Sequence, residues 1–124
     1  MKGYRFYMQD FKVNILGSEW SVKFGNEEEY PNLAEMDGYT DLSIREIVVD
    51  DMKASQGQIG AKSDLESYQK QVVRHEIIHA FLLESGLDSN SHEVESWATN
   101  EEMVDWFAIQ SPKIFKVFSE LKLI

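Results

Sequence analysis

The residues best equipped for chemistry lie together in Val72-Val73-Arg74-His75-Glu76-Ile77-Ile78-His79-Ala80-Phe81. Four positions separate the two histidines, so on a helix His75 and His79 stand one above the other on a single face. Both imidazoles can then reach one divalent ion at roughly 2.0–2.1 Å, the Zn–N distance. Glu76 is rotated from His75 by about 100° on a 3.6-residue helix. It can reach a water beside the ion without binding the ion itself. This is the HExxH arrangement, which depends on a helix and would fail on a strand. The neighbours Ile77, Ile78, Ala80 and Phe81 are uncharged. Two histidines and a glutamate on so apolar a helix need compensation, which a metal ion, hydrogen bonds within the core or an exposed edge can supply.

Zinc held by two histidines needs a third protein ligand and one open position if it is to act on a water. The chain has no cysteine, which leaves His, Asp and Glu. The longer form HExxHxxGxxH is excluded, because Leu82 and Ser85 stand where glycine and histidine are required. Downstream, Asn100-Glu101-Glu102-Met103-Val104-Asp105 places Glu101 and Asp105 one helical turn apart. One carboxylate can bind metal while the other accepts the free ring N–H of a ligand histidine. Glu102 is the rival ligand, but only Glu101 has an acid four residues on. An oxyanion donor is also required. His92 is the one remaining histidine, and Tyr39, Tyr30 and Tyr68 are the other candidates.

HEIIH followed by NEEMVD resembles the gluzincin pattern HExxH…NExxxD of thermolysin-like metallopeptidases. The short gap between the motifs and the continuation Asp105-Trp106-Phe107-Ala108 resemble the small ImmA/IrrE-type zinc peptidases of bacteria, phages and mobile elements. The resemblance covers roughly residues 70–112. It implies a zincin-like fold, with His75, His79 and Glu101 as zinc ligands. It further implies Glu76 as general base and Asp105 as the partner of His75; His92 stands apart from the resemblance, as the candidate catalytic oxyanion donor. The expected activity is hydrolysis of a peptide bond in a peptide or protein substrate. The alternative is a non-catalytic module that the same zinc holds together, or a hydrolase of another amide.

These side chains need elements to carry them. Ser63-Asp64-Leu65-Glu66 fits a capping box, and a helix is predicted from there to Glu84, with Ser85-Gly86 as its stop. Val72, Val73, Ile77, Ile78, Phe81 and Leu82 surround that helix on several sides. A second helix is predicted within 92–110, capped by Asn90 with Glu93 or by Thr99 with Glu102. Ser111-Pro112 then reads as a fresh helix start, leading to a last helix over 112–121. Before the metal helix, residues 13–17 and 19–25 suggest a β-hairpin, and residues 43–49 another strand. That strand is either internal or an edge able to pair with an extended substrate. Residues 26–41 are rich in turn formers and read as loop. Strands followed by helices imply an α+β domain with a small, mainly antiparallel sheet.

The chain's 124 residues, with no linker-like tract, fit one domain spanning 1–124. Hydrophobic residues make up 43%, enough for a core without disulfides. The net charge of −10 repels phosphate and anionic lipid, which argues against nucleic-acid or membrane binding. MKGYRFYMQDF lacks an apolar leader core, so a cytoplasmic protein is the expectation. Oligomeric state has no signature in the sequence.

Overall fold

The computed structural model describes residues 8–58, 60, 62–86 and 100–124. They form an α+β arrangement of a four-stranded mixed sheet and two long helices. Strand β1 (Phe11–Ile15) and strand β2 (Ser18–Gly25) make the expected hairpin. Its two-residue loop, Leu16 and Gly17, has φ of 52° and 94°. Two consecutive positive φ angles let a tight turn follow the twist of its strands, and Asn14 Oδ1 accepts the Gly17 N–H at 2.9 Å.

The loop expected over 26–41 contains more order than its composition suggested. A 3-10 turn (Pro31–Ala34) leads to strand β3 (Gly38–Asp41), which forms an antiparallel hairpin with β4 (Glu46–Asp50). The strand predicted over 43–49 therefore begins later. Residues 42–45 turn the chain, with Arg45 at φ 50°. Sheet order is β1-β2-β4-β3, with β2 and β4 parallel and the other two pairings antiparallel. So β4 is internal, not an edge, and β3 occupies the edge. Its central place explains why Ile47, Val48 and Val49 are all fully buried although successive side chains point to opposite faces.

Helix α1 (Leu65–Glu84) lies against the sheet. Ile15, Trp20, Val22, Ile47, Val49 and Met52 pack there with Val72, Val73 and Ala80. The cap differs from the predicted box: Asp64, not Ser63, accepts the Ser67 N–H at 3.0 Å. Burial is also less complete than expected. Phe81 is exposed, and with Ile77, Ile78 and Leu82 it lines an apolar groove of about 460 Å³ beside the second helix.

That second helix, α2 (Glu101–Glu120), is a single element where two were predicted. Asn100 Oδ1 accepts the Met103 N–H at 2.8 Å at its start; the alternative cap Thr99 and the earlier residues of the predicted helix lie outside the described residues. Pro112 sits inside α2 instead of opening a new helix. Proline has no N–H for the carbonyl four residues back, that of Ala108. Arg74 of α1 fills the gap, its Nε donating to Ala108 O at 2.7 Å. Val104, Ala108 and Ser111 form the buried stripe of α2. Among the described residues no helix is long and apolar enough to cross a membrane.

The far end of α1 is tied to the sheet by charge. Glu84 Oε1 accepts from buried Trp20 Nε1 at 2.9 Å and from Arg45 Nε at 2.7 Å, while Oε2 accepts from Arg45 Nη2 at 3.2 Å. The Arg45 and Trp20 hydrogen bonds hold this carboxyl down at about 2, from an ordinary 4.5. An acid at a helix C-terminus is otherwise unfavourable. A depressed folded-state pKa means the contribution is complete above pH 4.5 and is lost as pH falls towards about 2. Glu84→Gln is therefore expected to lower the urea midpoint at pH 7, with the gap from wild type closing below pH 4. A gap that stays constant with pH would refute the ionic role.

Candidate metal centre

Of the sequence-predicted ligands, His75, His79 and Glu101 come to one place. Helix α1 supplies His75 and His79, their rings 4.8 Å apart and edge to face at 65°. The first turn of α2 brings Glu101 over them. Glu101 Oε1 lies 2.8 Å from His75 Nε2 and 3.1 Å from His79 Nε2, and the two Nε2 atoms are 3.2 Å apart. Ligand atoms on a tetrahedral zinc at about 2.0–2.1 Å stand roughly 3.3 Å from one another. The observed triangle is close to that size.

The electronic character of these atoms points the same way. Asp105 Oδ1 lies 3.3 Å from His75 Nδ1, a spacing for which the ring donates Nδ1–H. In that neutral tautomer Nε2 carries a lone pair and faces the carboxylate oxygen of Glu101. Burial works against ionisation of Glu101, but the His79 and His75 rings beside it together outweigh burial and hold the carboxyl below its ordinary value. Three electron-pair donors so close repel one another unless a cation or protons lie among them. Two imidazoles and a carboxylate form a donor set well suited to zinc, and these three are the one such group among the described residues. Glu102, the rival ligand, is exposed on the neighbouring face.

Glu76 is buried beside the triad, and burial pushes its carboxyl above the ordinary value. Thr40 of β3 reaches it: Oγ1 is 2.8 Å from Glu76 Oε1 and 3.1 Å from Glu76 O. The approach depends on Gly38, where a Cβ would stand 3.0 Å from Val72 Cγ1 and 3.2 Å from Glu76 Cγ. A cleft of about 470 Å³ opens here, with the triad, Glu76 and Asp105 on one side and residues 36–40 on the other.

The remaining candidates divide. Tyr39 and Tyr68 line the cleft, and burial raises both phenols. Tyr68 donates its O–H to Asp37 Oδ2, which commits that proton. The Tyr30 ring lies over Gly25, at the end of β2 and away from the cleft lining. His92 lies outside the described residues. Sequence reasoning missed Asp37, Gly38 and Thr40. Their one signal was the aromatic and β-branched pair Tyr39-Thr40, too short to outweigh the turn formers around it. Comparison with protein-family models, with curated proteins and with solved structures returned no match.

Proposed function

We propose that the chain is a zinc-dependent metallopeptidase of zincin-like fold, similar in its site to the ImmA/IrrE-type enzymes. The observation that carries this reading is the meeting of His75 Nε2, His79 Nε2 and Glu101 Oε1 on the wall of an open cleft, with buried Glu76 beside them. Bound zinc would polarise a carbonyl and ease the loss of a proton from water. The chain's residues supply the rest. Glu76 accepts the proton of the attacking water and later delivers it to the leaving nitrogen. Its raised carboxyl pKa, a consequence of burial, brings it nearer to neutral pH and so suits both transfers. Asp105 holds His75 in the tautomer that presents Nε2.

A peptide fits the shape of the cleft. Residues of edge strand β3 form one wall, and among the described residues β3 pairs only with β4. An extended chain can align along such an edge through backbone hydrogen bonds. The test is metal content followed by hydrolysis. The purified protein is expected to bind close to one zinc per chain, and His75→Ala or His79→Ala to abolish that binding. The loaded protein is expected to cleave members of a panel of unstructured peptides. Failure to bind zinc would sink the proposal at its root. Tight binding with no cleavage across the panel would leave zinc a purely structural role.

A further inference from the structure

Thr40 is held rigidly at the edge of the sheet, its backbone paired with Ile47 of β4. Its hydroxyl meets α1 at Glu76, through the carboxylate and the main-chain carbonyl. A hydroxyl has a single proton, and the charged carboxylate oxygen, nearer at 2.8 Å against 3.1 Å, is the stronger acceptor. The helix carbonyl, at 3.1 Å, takes at most a minor, bifurcated share of the same proton. Gly38, two residues earlier, is what allows the strand to come this close.

We infer that Thr40 is the positioning residue of the general base: its hydroxyl occupies Glu76 Oε1 and so assigns the proton transfer to Oε2. The assignment rests on the hydrolase reading above. A carboxylate on a two-methylene side chain can present either oxygen and turn about its last torsion, which is broad. A donor fixed on one oxygen removes that freedom. The proton of the attacking water then has one destination, and it leaves from the same oxygen towards the departing nitrogen. The contact also places the base and the cleft-lining strand on one residue, so that β3 sets both the wall of the cleft and the aim of Glu76.

The experiment uses the full chain loaded with zinc and a peptide that wild type cleaves. Thr40→Val keeps the shape and loses the hydroxyl, and Thr40→Ser keeps the hydroxyl. For Thr40→Val, kcat is expected to fall by about tenfold to a hundredfold with KM and zinc stoichiometry unchanged, and Thr40→Ser to recover most of the loss. A second readout needs no activity: urea unfolding of metal-free protein in a cycle of Thr40→Val with Glu76→Met. Thr40→Val is expected to lower the midpoint less in the Glu76→Met background than in wild type. Unchanged kcat in Thr40→Val, a Thr40→Ser no better than Thr40→Val, or strictly additive midpoints would each overturn the assignment alone. If loaded wild type cleaves nothing, the hydrolase reading fails and the assignment falls with it.

Discussion

Glu76→Gln is expected to bind zinc as wild type does and to lose hydrolysis by about a thousandfold or more, at the upper part of the range for a general base. Gln is close in size to Glu, and its amide oxygen can still accept from Thr40, so the packing of α1 against β3 should persist. It cannot take up a proton at neutral pH. Glu76 is also outside the ligand triad, which is why metal content and activity should separate so sharply in this one variant. The measurement is zinc per chain by mass spectrometry alongside initial rates on a cleavable peptide. Parallel loss of zinc and activity would show that Glu76 is a ligand or a fold determinant. Full activity in Glu76→Gln would remove the base from the proposal altogether. Since the Gln variant also removes a buried acid, its metal-free form should be no less stable than wild type.

The second large effect concerns the acids at the start of α2. Glu101→Ala is expected to weaken zinc binding by more than about a hundredfold, Asp105→Asn by about ten- to a hundredfold, and Glu102→Ala by no more than about twofold. The gradient follows from position. Glu101 Oε1 stands within 3.1 Å of both imidazole Nε2 atoms. Asp105 reaches only the far nitrogen of His75. Glu102 faces away. Asp105→Asn can still accept from Nδ1–H but without charge, so it weakens the ligand without removing it. Competition against a fluorescent chelator at fixed pH gives the three constants. An equal loss in Glu101→Ala and Glu102→Ala would mean that the first turn of α2 contributes only general negative potential. The apparent stability gained on adding zinc should follow the same order, because a ligand that binds the folded chain stabilises it by mass action.

Much of the site was legible from residue spacing. A turn of helix is 3.6 residues long, so HExxH on α1 and the Glu101/Asp105 pair on α2 state which side chains share a face before any packing is known. The hairpin of β1 and β2, the length of α1 and the α+β class followed from equally local signals: alternation, a serine capping box that fell one residue before the observed cap, Asp64, and a glycine stop. Where prediction went astray, a distant contact had outweighed a local rule. Pro112 reads as a helix start, yet α2 runs through it because Arg74, on another helix, satisfies the Ala108 carbonyl that proline leaves without a donor. Residues 38–41 read as loop, yet they form a strand because β4 lies alongside to pair with them.

Whether the 43–49 strand was internal or an edge stayed open in the sequence for a related reason. The apolar run Ile47-Val48-Val49 suits a strand covered on both faces, but which strands flank it depends on the chain crossing from β2 to the far edge and returning through β4. No periodicity encodes that path. The contact between Thr40 and Glu76 joins residues 36 positions apart, at a place where a side chain on Gly38 would crowd Val72 and Glu76. Side-chain spacing along one helix is set by covalent geometry and hydrogen bonds within that helix. The partner that meets it from another element is set by how the whole chain buries its apolar surface.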